Sequence, residues 1–113
     1  MKDETKHVHM LFLTYWKLNE GLSARETNEI ARSLTEEGLF PPENADIVRW
    51  DATPDGWGIV IWEASDYAAV NDGLNMWRVA ADETAFFEET KTAPAAPVEE
   101  IIPQQAALLE RLE

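Results

Sequence analysis

Two segments of this chain, Met10 to Trp16 and Trp57 to Trp62, are apolar at even and odd positions alike. Successive strand residues point to opposite faces, so strands like these need cover on both sides of a sheet. The other strand candidates, Asp46 to Asp51 and Phe86 to Thr92, alternate or are half polar. The two-sided pair therefore belongs at the centre of a sheet and the half-polar pair at its edges. Helical patterns follow the first and third strands, which spells βαββαβ.

A length of 113 residues suits one domain. No run approaches the ~18 apolar residues of a membrane span. The charged start from Met1 to His7 is not followed by the apolar h-region of a signal peptide, so the sequence predicts no signal peptide and a cytoplasmic protein. There is no cysteine, which excludes disulfides, thiolate metal sites and a cysteine nucleophile. The net charge is −13, from 22 acidic and 9 basic residues. Without a basic cluster to offset it, such a surface repels nucleic acid and anionic membranes. The acidity suits simple solubility, high salt or a cationic partner.

Strand 1 is predicted from about His9 to Leu18, with Thr14 and Tyr15 on opposite faces. Ser23 and Glu26 have capping-box spacing, so a helix is predicted over 24–37, ended by Gly38. Pro41 and Pro42 cannot continue it. Strand 2 spans about Asp46 to Asp51. The turn Thr53-Pro54-Asp55-Gly56 leads into strand 3, Trp57 to Glu63. A register symmetric about that turn puts Trp50 opposite Gly58. Ser65 or Asp66 caps a second helix with Tyr67, Val70, Leu74 and Trp77 as its apolar stripe. Gly73 within it points to close packing on the sheet. Strand 4 covers about Ala85 to Thr92. The chain thus divides into a domain at 1–92 and an extension at 93–113. In the extension, 93–97 reads as a proline-alanine linker, 98–102 as a short strand and 104–112 as a helix opened by Pro103. So short a helix is not stable alone and must dock on its own domain or on a partner.

This order and these lengths are those of the α+β ferredoxin-like fold, with strand order 4-1-3-2. One sheet face is covered by the helices, and a second copy of the chain is the natural cover for the other. The chain resembles the dimeric α+β barrel superfamily, in particular short members of unknown function. These open on an apolar strand like Met10-Leu11-Phe12 and carry a hairpin like Trp50, Thr53, Asp55, Gly56 and Gly58. The resemblance covers about residues 9–92. It implies a homodimeric α+β barrel whose two sheets close face to face. Known activities in the superfamily include cofactor-independent monooxygenases, haem-degrading enzymes, isomerases and polyketide cyclases, and fold alone does not choose among them.

His7 and His9 are the only histidines. They read either as a metal pair or general base, or as a strand-end pair with no chemistry. Some superfamily members carry a histidine at the head of strand 1, where His9 stands, but the further histidine used by the cyclases is missing from helix 2. A pair without a third ligand does not define a metal site, and none is predicted. Five tryptophans read either as a pocket for a planar hydrophobic ligand or as an indole-rich core and interface. By resemblance to haem-degrading members, Trp62, Trp77 and Asn75 are candidate ligand-binding residues. No histidine follows Trp77 to ligate haem, and no cofactor is predicted. His9 and Tyr15 are candidate catalytic residues. Arg49 and Glu63 are placed to pair across the hairpin. No phosphate loop, Ser-His-Asp set or HExxH pattern is present. The reading is a small homodimer that binds a hydrophobic or aromatic ligand or assists assembly. The alternative is a cofactor-independent monooxygenase- or cyclase-like enzyme working between helices and sheet, with His9, Tyr15, Trp62 and Trp77 lining its cavity.

Overall fold

The computed structural model of the protein describes residues 10–82 and 84–113. The elements run β1 (Met10–Leu18), α1 (Ala24–Glu36), β2 (Ala45–Ala52), β3 (Trp57–Ala64), α2 (Tyr67–Ala81), β4 (Phe87–Ala95) and α3 (Val98–Leu112). The strands form one antiparallel sheet in the order β2-β3-β1-β4. This is the ferredoxin-like arrangement, and the two strands that are apolar on both faces are its central pair.

Local chemistry sets the helix ends. Ser23 Oγ accepts from the Glu26 amide at 3.1 Å, and Glu26 Oε1 accepts from the Ser23 amide at 2.9 Å. This reciprocal capping box satisfies two amides that the helix itself leaves unpaired. At the other end Gly38 adopts φ 70°. The Leu39 amide then reaches the Leu34 carbonyl, and the Gly38 amide reaches that of Thr35, a Schellman closure. Asp66, rather than Ser65, caps α2 by accepting from the Ala69 amide at 3.0 Å.

The hairpin register differs from the symmetric expectation. Trp50 stands opposite Val60, and Gly58 lies between Ala52 and Trp16. The hairpin closes on Thr53 and Trp57, whose backbone bond is 2.8 Å, so its centre falls on Asp55 and not on Pro54. A displacement of two residues keeps every side chain on its expected face. A register shift between Ile47 and Arg49 then offsets the rest of the ladder. Trp16, not Trp50, covers the bare backbone of Gly58. A Cβ at that position would lie 2.6 Å from Trp16 Cζ2 and would run into the Asp51 carbonyl oxygen. Arg49 Nε bonds Asp51 Oδ2 on its own strand at 2.7 Å.

The C-terminal region also departs from expectation. Residues 93–95 are not linker, because β4 continues through Pro94, which pairs with Phe12. Proline is admissible there because β4 is an edge strand. The short strand expected at 98–102 is instead the first part of α3, which holds Pro103 in its interior. A proline inside a helix costs ~3 kcal/mol against alanine, and helix nevertheless continues on both sides of it.

The core lies between the sheet and the first two helices. Phe12, Trp16, Val60, Trp62, Val70 and Leu74 belong to one buried cluster, and Leu34, Trp77 and Phe86 to a second. Gly73 serves the close packing its position suggested, since a Cβ there would lie 2.9 Å from Trp62 Cη2. On the other sheet face Leu11, Leu13, Tyr15, Ile59 and Ile61 are only half-buried and Trp57 is exposed. None of them belongs to either cluster. Among the described residues no helix is long and apolar enough to cross a membrane.

The Trp16–Gly58 contact has a measurable consequence. Gly58→Ala should lower stability by about 1–3 kcal/mol, the usual cost of overpacking. Urea denaturation reads it directly, and an unchanged midpoint would show that the strands part easily at that point.

Candidate functional site

The helix side of the sheet does not close completely. A cavity of about 160 Å³ lies between the sheet and the helices. The sheet contributes Trp16, Val60 and Trp62, α1 contributes Thr27 and Ala31, and α2 contributes Leu74 and Trp77. Leu18, Phe86 and Phe87, from the end of β1 and the start of β4, add to the wall. Phe40 and Trp50 complete it from the β2 side.

The rings meet mostly edge to face. Phe40 stands 5.4 Å from Trp50, 5.9 Å from Trp62 and 5.2 Å from Trp77, centroid to centroid. Trp77 also meets Trp50 at 5.6 Å and Phe86 at 5.0 Å. Aromatic pairs favour such geometry electrostatically. Flat, rigid rings held at steep angles cannot interdigitate as branched aliphatic chains do, and here they leave a half-open void between them.

Among the described residues no charged side chain lines the cavity. The Thr27 hydroxyl is already bonded to the Ser23 carbonyl at 3.0 Å. Trp62 Nε1 donates to Thr14 Oγ1 at 3.0 Å, and Thr14 shares a 2.9 Å hydrogen bond with Thr92 Oγ1. This short chain satisfies the hydroxyl of fully buried Thr14 and fixes the Trp62 ring. Trp16 Nε1 is buried with no hydrogen-bond partner among the described residues, and a group left so costs about 1–3 kcal/mol.

Trp62 and Trp77 stand together on this wall. Asn75 does not join them: it is exposed, and its Oδ1 accepts from Arg78 Nη1 at 2.8 Å. Two residues along a helix is a turn of about 200°, so Asn75 and Trp77 look away from each other. Tyr15 does not line the cavity either. It shares the opposite sheet face with its neighbours Ile59 and Lys91, and its ring lies 6.0 Å from that of Trp57. Alternation on β1 sends Thr14 inward and Tyr15 outward. His7 and His9 lie outside the described residues. Arg78 reaches back to the sheet. Its Nη2 donates to Thr90 Oγ1 at 3.0 Å, and its guanidinium stands 5.8 Å from the Phe87 ring centre. Phe40 and Phe86 were not among the sequence candidates. Their signal was the aromatic content of the chain, which carries no spacing to tell a wall from a core.

No family model matches the chain, and no curated protein matches it. Several solved structures are similar to it. A dimeric ferredoxin-like protein of unknown function from Thermobifida fusca is 10% identical with TM-score 0.46, over 79% of this chain and 91% of that one. A NIPSNAP family protein of unknown function from Agrobacterium tumefaciens is 10% identical with TM-score 0.45, over 80% and 89%. The protein PA3566 from Pseudomonas aeruginosa is 15% identical with TM-score 0.46, over 79% and 93%. Likenesses of this size carry nothing about chemistry. The ferredoxin-like topology rests on the strand order and register described above.

Thr14→Val keeps the shape of the side chain but removes the acceptor for Trp62 Nε1 and the partner of Thr92. A loss of about 1–3 kcal/mol is expected in chemical denaturation. An unchanged stability would mean that the Trp62 N–H finds another partner at no cost.

Proposed function

We propose that this chain is a ligand-binding protein that acts as a homodimer and holds a small, uncharged, single-ring hydrophobic compound between its helices and its sheet. The observation that carries this reading is the 160 Å³ cavity, walled by four tryptophans and three phenylalanines with no charge among them. Its size matches an engineered cavity of ~150 Å³ that takes up benzene. Aromatic walls reward a flat apolar guest through area burial and ring contacts. The alternative reading, oxygenase or cyclase chemistry, calls for an acid, a base or a polar group that engages substrate. Among the described lining residues only the Thr27 hydroxyl and indole N–H groups are polar, which favours binding over proton transfer. The homodimer is supported by the apolar outer face of β1 and β3, which no described element of the chain covers.

Tryptophan fluorescence titrated with toluene or p-cresol tests the site. A saturable change with a dissociation constant of about 0.1–1 mM is expected for so few atoms. Ala31→Phe, which fills the cavity from α1, should weaken binding at least about tenfold, since displaced guest volume cannot be recovered in a dense interior. No saturable signal and no rise in melting temperature at millimolar toluene and p-cresol would rule the reading out.

A further inference from the structure

One extra residue breaks the alternation of β2 beside the cavity. Residues directly opposite on paired strands share a face of the sheet. Ala45 stands opposite Ala64 and Ile47 opposite Trp62, and both partners are buried beneath the helices. Continued alternation would turn Arg49 to that same side and Trp50 away from it. The register shift between Ile47 and Arg49 inserts Val48, which is 57% exposed, and the phase reverses. Arg49 now stands opposite Ile61 on the outer face, and Trp50 opposite Val60 on the cavity side. Bulges on edge strands re-aim side chains in this way. Here the bulge exchanges a guanidinium for an indole at the cavity wall.

Trp50 also differs from the rest of that wall. Trp16, Trp62, Trp77 and Phe86 are at most 7% exposed, whereas Trp50 is 45% exposed. Among the described lining residues it is the only exposed one; the others are buried or half-buried. A ring that borders both the cavity and solvent stands at the mouth. Its centroid lies 5.4 Å from that of Phe40 and 5.6 Å from that of Trp77, edge to face in both cases, so its bulk is set against two further wall rings. The buried walls belong to a dense interior and have little room to yield. At the mouth there is solvent on the far side. A guest longer than the cavity therefore has one direction in which to extend, and Trp50 occupies it. The 160 Å³ present suit one ring; a second fused ring needs the space of the indole.

We infer that Trp50 is the specificity-determining residue of this cavity: its indole, turned inward by the bulge at Val48, narrows the mouth and limits the guest to a single ring. With that indole cut back, the same site takes a fused two-ring aromatic compound. This rests on the ligand reading proposed above and is independent of the dimer.

p-Cresol and naphthol share a phenolic hydroxyl and differ by one fused ring, so the ratio of their dissociation constants reads the filter. Ligand-observed NMR titration of the full chain measures both. The natural chain should bind p-cresol about tenfold or more tighter than naphthol. Trp50→Ala should tighten naphthol by about tenfold or more and move p-cresol by no more than about threefold. Trp50→Phe keeps an aromatic ring beside Phe40 and should shift the ratio in the same direction by a smaller factor; it decides the question if the alanine variant does not fold. Phe86→Leu, which trims a buried wall, should leave the ratio within about threefold of the natural one. A ratio unmoved by substitution of Trp50, with p-cresol still bound, overturns the filter and leaves the ligand reading standing. A natural chain that binds naphthol as tightly as p-cresol, or a Phe86→Leu chain relaxed as far as the Trp50 variants, overturns it in the same way. A natural chain that binds neither compound removes the filter together with the reading on which it rests.

Discussion

Apolar side chains on both faces of β1 and β3 are the constraint from which the rest of this molecule follows. A sheet whose central strands are apolar on one side only is finished once two helices cover it. Here the helices satisfy Phe12, Trp16, Val60 and Trp62 and leave Leu11, Leu13, Ile59 and Ile61 half-buried. The fold therefore has an inner face whose packing makes a cavity and an outer face whose exposure calls for a partner. These two faces are joined by the same backbone. A Val60 that faces the helices has Ile59 and Ile61 facing away.

The inner face is built around indoles, and glycine makes room for two of them. Gly58 lets the Trp16 ring lie on the neighbouring strand, and Gly73 lets α2 approach the Trp62 ring. Each glycine forgoes packing and adds flexibility to the unfolded chain. What the protein gains is an indole-lined wall in which Trp50, Trp62 and Trp77 each meet Phe40 at a steep angle. The hydrogen bond from Trp62 to Thr14 fixes one ring from beneath. A half-open aromatic pocket is the product of this arrangement, and small flat apolar molecules are the guests proposed for it.

Much of the fold was legible because its signals are local. The Ser23–Glu26 box, the Gly38 closure, the Asp66 cap and the turn before Trp57 each act through bonds within a few residues. Strand order was legible too, because two-sided apolar strands have only the centre of a sheet to go to. The site was less legible for the same reason. Where both faces of β1 are apolar, alternation does not say which of Thr14 and Tyr15 meets the helices. Trp62 and Trp77 were named from residue type and resemblance and share the cavity wall, whereas Asn75, named beside them by resemblance, is exposed and turned from Trp77 by two residues of helical rotation. The C-terminal boundary went astray where proline departs from its usual places. Pro94 is tolerated on an edge strand, and Pro103 sits on the water side of a helix whose apolar seam runs uninterrupted past it. A bulge at Val48 and a hairpin centred on Asp55 are matters of hydrogen-bond pairing, which residue types alone do not specify.

The central claim, that the outer face of β1 and β3 is an interface between two copies, is tested most directly by sedimentation equilibrium of the unaltered chain from nanomolar to high micromolar concentration. The proposed dimer predicts a species of twice the 12.8 kDa chain mass at micromolar concentration, dissociating as a single equilibrium on dilution. A mass that stays at one chain throughout would contradict it, because the half-buried Leu11, Leu13, Ile59 and Ile61 would then have no cover from a second copy.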